Sequence, residues 1–179
     1  GFKPNEVRAV ATQTLREAKN RHVFLAKAHE LLGFPIEVVS GREEARLIYQ
    51  GVSHFLPQTD ERRLVIDIGG RSTEFILGVR QDPSLLESYR LGSVSSSLKY
   101  FAQGELTQTA FHKAEVAAKA VLEEAVEKFP KKAWDTAFGS SGTVSAVAEV
   151  LGGAGWSDKT ITLESLEWLK RHLIRIGHV

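Results

Sequence analysis

Apolar positions in the first third of this chain come as short bursts separated by one helical pattern. Val7 to Thr12 reads as a short buried strand. From Arg16 to Leu32, Leu15, Ala18, Phe24, Leu25, Ala28 and Leu31/Leu32 recur at helical spacing, and Gly33 is a suitable stop. Phe34-Pro35 breaks the chain, and Ile36 to Val39 is a second short strand. Ser40 is a good N-cap with Glu43 three residues on, as in a capping box, so a helix is expected from Gly41 to about Phe55. Strand, helix, strand, helix implies parallel pairing through right-handed crossovers.

The pattern changes after Pro57-Gln58-Thr59-Asp60, the best candidate for a domain boundary. Three strands are expected, at Leu64 to Ile68, Ser72 to Val79 and Leu85 to Leu91, joined by a Gly-Gly turn and by Arg80-Gln81-Asp82-Pro83. Helices follow at Ser95 to Gln103 and Gln108 to Phe129, the second rich in alanine and amphipathic. A strand near Trp134 to Phe138, a helix Val144 to Leu151 and a flexible link Gly152-Gly153-Ala154-Gly155 come next. Thr162 caps a last helix, Leu163 to Ile176. Three antiparallel strands, then helices and a parallel strand, give an α/β fold with a mixed sheet flanked by helices, the ribonuclease-H-like layout.

At 179 residues, 42% hydrophobic and 25% charged, the chain fits the globular class. A net charge of +1 gives no bulk electrostatic case for nucleic acid or a membrane surface. A polyanionic ligand would need local clusters, for which Arg16, Lys19, Arg21 and Arg71 are candidates. With no cysteine there is neither a disulfide nor a Cys-ligated metal. The six histidines form no ligand set, and no apolar stretch reaches the length of a membrane span.

Within that frame the block Asp67-Ile68-Gly69-Gly70-Arg71-Ser72-Thr73-Glu74 stands out. Two apolar runs flank it, so it reads as a hairpin whose turn approaches an anion. Gly69 and Gly70 let backbone N–H groups come close to phosphate oxygens, and Ser72 and Thr73 add hydroxyl donors. Asp67 and Glu74 suit a hard divalent cation beside the phosphate. A plain tight turn is the competing explanation. A second small-residue loop, Gly139-Ser140-Ser141-Gly142-Thr143, follows a strand and opens a helix, where free N–H groups and the helix dipole favour anions. Ser141 or Thr143 as an ordinary N-cap is the alternative.

These two loops resemble the second phosphate loop and the adenosine-type loop of the actin-like ATPase superfamily. Within it the chain resembles the exopolyphosphatase/guanosine pentaphosphate phosphohydrolase family. Val10 to Asn20 is similar to that family's ATSALREAKN stretch, Ile36 to Leu47 to its I-SG-EEA-L segment, and Tyr89 to Val94 to its LG-V strand end. The matches are collinear and span nearly the whole chain. The family usually has a third glycine where Arg71 stands, and its first phosphate motif, an Asp-x-Gly-Ser-Asn-Ser type loop, does not occur here. The resemblance therefore implies a fragment of a two-domain protein, with residues 1–56 the end of the first domain and 57–179 most of the second.

The resemblance also implies roles. Glu44 would orient or deprotonate the attacking water. Gly69, Gly70, Ser72 and Thr73 would bind phosphate, as would Gly139, Ser140, Ser141, Gly142 and Thr143, with Arg16 and Arg71 neutralising the polyanion. Asp67 and Glu74 would hold Mg²⁺. The implied protein is a cytoplasmic bacterial hydrolase releasing orthophosphate from inorganic polyphosphate. The alternative is one acting on, or regulated by, guanosine penta- or tetraphosphate; an ATP-dependent kinase or chaperone sharing the loops is a third class. Without the resemblance, Glu43 and Glu44 need only be acids favoured at a helix N-terminus. An exposed strand edge before Pro57 would permit a homodimer, and the fragment alone is expected to be inactive.

Overall fold

The computed structural model describes residues 3, 6–157 and 159–179. Two sheets organise it. The first is a parallel pair, β1 (Ala9–Ala11) and β2 (Ile36–Val38), in the register Ala9 opposite Ile36. The connection between them is two helices where one was expected: α1 (Gln13–Glu17) and α2 (Arg21–Leu32). Ala18 turns extended, with ψ 120°, and interrupts the periodicity. Gly33 ends α2 in the left-handed conformation, φ 77°, as the sequence suggests. Ser40 caps α3 (Gly41–His54) by accepting from the Glu43 amide. The reciprocal half of the capping box is missing, because the Glu43 carboxylate pairs with Arg46.

The second sheet has the order β5-β4-β3-β6. β3 (Arg62–Ile68) and β4 (Thr73–Val79) form the hairpin, β5 (Asp82–Tyr89) extends it antiparallel, and β6 (Thr136–Ser140) lies parallel to β3. β5 starts three residues earlier than expected and includes Pro83, which is tolerated because β5 is an edge strand. α4 (Ser93–Tyr100) and α5 (Gln108–Lys128) follow, then a 3₁₀ turn at Lys131–Ala133. α6 (Ser141–Gly153) absorbs Gly152 and Gly153 of the expected link and leaves Gly155 beyond its end at φ 88°, and α7 (Leu163–Ile176) starts from a Thr162–Ser165 capping box.

The sheet is covered on both faces. On one, α3 packs Ala45 and Tyr49 onto Val65 and Ile76, with Leu86 and Phe138 beside them. On the other, Ala125 and Phe129 of α5 meet Leu64 and Tyr89, and Phe75 stands edge-on to Tyr89 at 5.6 Å. Tyr49 lies so close to Gly78 that a Cβ there would sit 2.3 Å from its ring, so only glycine admits the ring. α3 belongs in sequence to the segment before Pro57 but packs on the second sheet. Among the described residues no helix is long and apolar enough to cross a membrane.

Candidate active site

One row of side chains crosses all four strands of the second sheet. Ser88 of β5 lies opposite Glu74 of β4, Glu74 opposite Asp67 of β3, and Asp67 opposite Ser140 of β6. Residues in register share a face of the sheet. Two positions along each strand lies the apolar row Leu86, Ile76, Val65 and Phe138, the floor on which α3 sits. The polar row is therefore the edge of the α3 face, where core gives way to the turns.

Glu74 is 1% exposed, and Ser88 donates its hydroxyl to Glu74 Oε1 at 2.7 Å. Burial pushes the Glu74 carboxyl up to about 7. The Ser88 hydrogen bond opposes this, the charge of Glu44 adds to it, the Ser72 hydrogen bond opposes it, and the Asp67 charge adds a little more. Two hard carboxylates on neighbouring strands, one carrying a strained negative charge, are the donor chemistry that suits Mg²⁺, which keeps several waters and completes its shell with substrate oxygens. Among the described residues no group of three or more His, Asp or Glu side chains encloses a metal unaided.

The turn between β3 and β4 is closed by the Gly69 amide donating to Ser72 O at 2.9 Å. Neither Gly69 nor Gly70 has a positive φ, so the glycines are needed for close approach and not for an unusual backbone. A Cβ at Gly69 would lie 3.1 Å from Ser72 O, and one at Gly70 3.2 Å from Val94 Cγ2. The N-terminus of α4 takes up the turn's carbonyls: Ser93 N–H donates to Gly69 O at 2.9 Å and Ser95 N–H to Gly70 O at 3.0 Å. Among the described residues the amides of Gly70 and Arg71 find no acceptor. Unpaired N–H groups beside glycines are what an anion-binding turn offers. Thr73 does not take part as expected: it is buried, and its hydroxyl donates to Leu91 O at 2.5 Å, fixing the turn that follows β5.

A cavity of about 240 Å³ opens over this turn, lined by Gly69, Gly70, Arg71, Ser72 and Val94 on one side and Thr12, Gln13, Thr14 and Glu44 on the other. Glu44 thus faces the glycine turn across one small space. Arg16 does not. It donates to Glu44 Oε2 at 2.8 Å, to Val39 O at 2.9 Å and to Gln13 Oε1 at 2.7 Å, so it orients the carboxylate instead of lining the cavity. Among the described residues Glu44 Oε1 has no hydrogen-bond partner. Gln13, Ser88, Gly92 and Ser93 build this site and were not singled out from the sequence, although Gln13, Gly92 and Ser93 fall inside segments that carried the family resemblance.

The second loop stands behind the first. Ser141 Oγ donates to Ile68 O at 2.7 Å, and Thr143 Oγ1 to Ser93 Oγ at 3.1 Å. Ser141 adopts φ 88°, a strained value for a residue with a side chain, held by that bond to Ile68. Gly139 is required sterically, since a Cβ there would lie 2.5 Å from Val144 Cγ1. Ser140 closes the polar row, and Gly142 is exposed in the first turn of α6. None of the five residues Gly139 to Thr143 lines the cavity over the glycine turn.

The sequence profile of the Ppx/GppA phosphatase family matches residues 1–179. The chain belongs to this family. Among solved structures, an exopolyphosphatase-like protein is 29% identical, with a TM-score of 0.75, over 82% of this chain and 47% of its own. The Ppx/GppA enzyme of Aquifex aeolicus is 28% identical, with a TM-score of 0.66, over the same shares, 82% and 47%. An exopolyphosphatase from Cytophaga hutchinsonii shares the fold, with a TM-score of 0.75 at 23% identity, over 95% of this chain and 57% of its own. The chain spans about half the length of the solved proteins it matches. Its fold, a mixed sheet flanked by helices, is the one these Ppx/GppA structures have.

Proposed function

We propose that this chain carries the phosphate-loop wall of a Mg²⁺-dependent phosphoanhydride hydrolase that releases terminal orthophosphate from inorganic polyphosphate. The observation that carries this reading is the shared cavity of Glu44 and Gly69 to Ser72. Hydrolysis of a terminal phosphoanhydride needs an oriented water, donors around the transferred group and relief of its charge. Glu44, with Oε2 tied to Arg16 and Oε1 unpartnered among the described residues, would hold and deprotonate a water. The free amides of Gly70 and Arg71 would receive the terminal phosphate, while the Ser72 hydroxyl holds the Glu74 carboxyl. Asp67 and Glu74 would hold Mg²⁺, which supplies charge neutralisation at the phosphoryl oxygens.

Exopolyphosphatase relatives support the substrate class, and the cavity over the turn fits a terminal phosphate better than a nucleoside. Its lining offers donors and the Glu44 carboxylate but no aromatic face for a base. The test is phosphate release from polyphosphate and from guanosine pentaphosphate, in a protein of its relatives' full length. Glu44→Gln should lower kcat by about 10² or more with substrate affinity little changed, because general-base help acts in the transition state. An equal loss of affinity would move Glu44 from catalysis to binding. Release from guanosine pentaphosphate alone would overturn the substrate assignment.

A further inference from the structure

Two charged side chains line the cavity over the glycine turn, the Glu44 carboxylate and the Arg71 guanidinium. Each is met from outside the cavity by a residue of opposite charge, and those two residues are consecutive at the end of α1. Arg16 donates to Glu44 Oε2 at 2.8 Å, and Glu17 Oε2 lies 3.9 Å from Arg71 Nη1. Gln13 ties the two together. Its Oε1 accepts from Arg16 Nε at 3.1 Å and Nη2 at 2.7 Å, and its Nε2 donates to Glu17 Oε1 at 2.7 Å. Gln13, Arg16 and Glu17 stand at i, i+3 and i+4 of one helix face, which is how one glutamine reaches both. Gln13 is buried, with both ends of its amide engaged.

The two contacts are built differently. Arg16 and Glu44 are hydrogen-bonded and mostly buried. Arg71 and Glu17 are both exposed, and at 3.9 Å they share charge without a hydrogen bond. Among the described residues Glu17 is the sole polar partner of the Arg71 guanidinium. Glu17 has others: Gln13 on Oε1, and Arg90 Nε at 3.4 Å on the same oxygen. Glu17 therefore keeps its place if Arg71 leaves, whereas Arg71 has nothing else to hold it. An exposed ion pair of this kind shifts an equilibrium by at most about five-fold. A phosphate oxygen at hydrogen-bonding distance is a stronger partner for a guanidinium than a carboxylate at 3.9 Å.

We propose that Glu17 is an internal counter-anion for Arg71, a positioning residue that holds the guanidinium at the rim of the cavity and that a phosphate on the glycine turn must replace. The identity of the ligand rests on the proposed hydrolase reading. The family usually carries glycine where Arg71 stands, so the pair belongs to this chain's departure from that pattern. Without Glu17, Arg71 would stand over the turn unneutralised and would retain any small phosphate, a released orthophosphate included. With Glu17, binding breaks the ion pair and release restores it. The carboxylate thus weakens the grip of the turn on anions while keeping the cation in reach of them.

The test titrates sodium tripolyphosphate into the 179-residue chain by calorimetry at low salt, with Mg²⁺ held constant. Glu17→Gln keeps an acceptor for Gln13 and removes the charge. It should tighten binding by roughly two- to five-fold, the worth of one exposed ion pair. The gain should shrink as salt is raised. In an Arg71→Gln background the same Glu17→Gln change should leave the affinity within about 1.5-fold, because the group it frees is gone; such coupling marks residues that act through each other. A merely structural role for Glu17 in α1 would not make its effect depend on Arg71. A gain of equal size in both backgrounds would reduce Glu17 to a diffuse charge and overturn the pairing. No gain, a loss, or no measurable binding by the parent and Glu17→Gln alike would overturn it too. Failure of the hydrolase reading is seen separately, as absence of phosphate release by a protein of the relatives' full length, and leaves this comparison standing.

Discussion

Gly92 is where the structure makes its most exposed commitment. It is the N-cap of α4, with φ −143° and ψ 160°, a backbone conformation open to any residue. Alanine there would suffer no torsional penalty, so whatever it does must come from contact. A Cβ at Gly92 would lie 2.3 Å from Arg71 N, 2.4 Å from the Gly70 carbonyl carbon and 2.5 Å from Arg71 Cα. All three atoms are backbone of the glycine turn and none can rotate away, so turn and helix must separate by about 1 Å. Overpacking of this kind costs typically 1–3 kcal/mol. The neighbouring bonds from Ser93 and Ser95 to the turn's carbonyls would weaken as well, each contributing about 1 kcal/mol. Gly92→Ala should thus destabilise by about 2–4 kcal/mol, a fall in Tm of roughly 5–15 °C at this size. A displacement of about 1 Å at the phosphate turn should also cost about 10² in turnover. The control is Gly51→Ala in α3, where a Cβ meets nothing within 4 Å; it should stabilise by about 0.5–1 kcal/mol. Urea unfolding of both variants and of the parent chain decides the matter. A Gly92→Ala protein within about 0.5 kcal/mol of the parent would refute the clamp between α4 and the turn.

Two further outcomes follow from the polar row and the turn. Glu74 has a folded-state carboxyl raised to about 7, so its protonated form is the one folding prefers; the associated stability is present below pH 4.5 and is lost as pH rises through about 7, by roughly 3 kcal/mol at most. Urea midpoints should fall between pH 5 and pH 8, Glu74→Gln should flatten that fall, and Mg²⁺ should recover part of it at pH 8; a parent midpoint that rises over this window would show that the carboxylate is not under strain. Arg71→Gly should raise KM for polyphosphate and lessen its salt dependence; activity that instead rises would mean the guanidinium merely crowds the turn.

How far the sequence disclosed this site depends on whether the information was local. The Ser40 cap, the Gly33 stop and the hairpin around Gly69-Gly70 were legible because each is decided by a few adjacent residues. The break at Ala18 was not. Helical spacing runs on through residues 18–20, and no glycine or proline there marks the extended turn at Ala18. Arg16 was read as a cation for the substrate for the same reason: an isolated arginine in a sequence does not reveal which carboxylate already holds it. Ser88 was invisible because it joins Glu74 only through strand register, and register is a property of the assembled sheet.

The packing of α3 explains why a helix from the first part of the chain can carry a group that works on the second sheet. A Cβ on Gly41, the first residue of α3, would lie 2.6 Å from Ser88 Cβ and 2.7 Å from its Oγ. Glycine therefore lets the start of the helix rest directly on the strand residue that holds Glu74. Glu44 lies one turn further along the same helix, and Ala45 and Tyr49 beyond it are fully buried against Val65 and Ile76. The Tyr49 ring in turn occupies the space that Gly78 leaves. The distance from Glu44 to the phosphate turn is thus set by side chains that cannot slide: glycine on serine at one end, tyrosine on glycine at the other. Close-packed interiors transmit small shifts instead of absorbing them. Repositioning Glu44 over the turn would require the helix to leave the sheet, so Glu44 and the turn behave as one body, and adjustment on binding falls to the exposed side chain of Arg71.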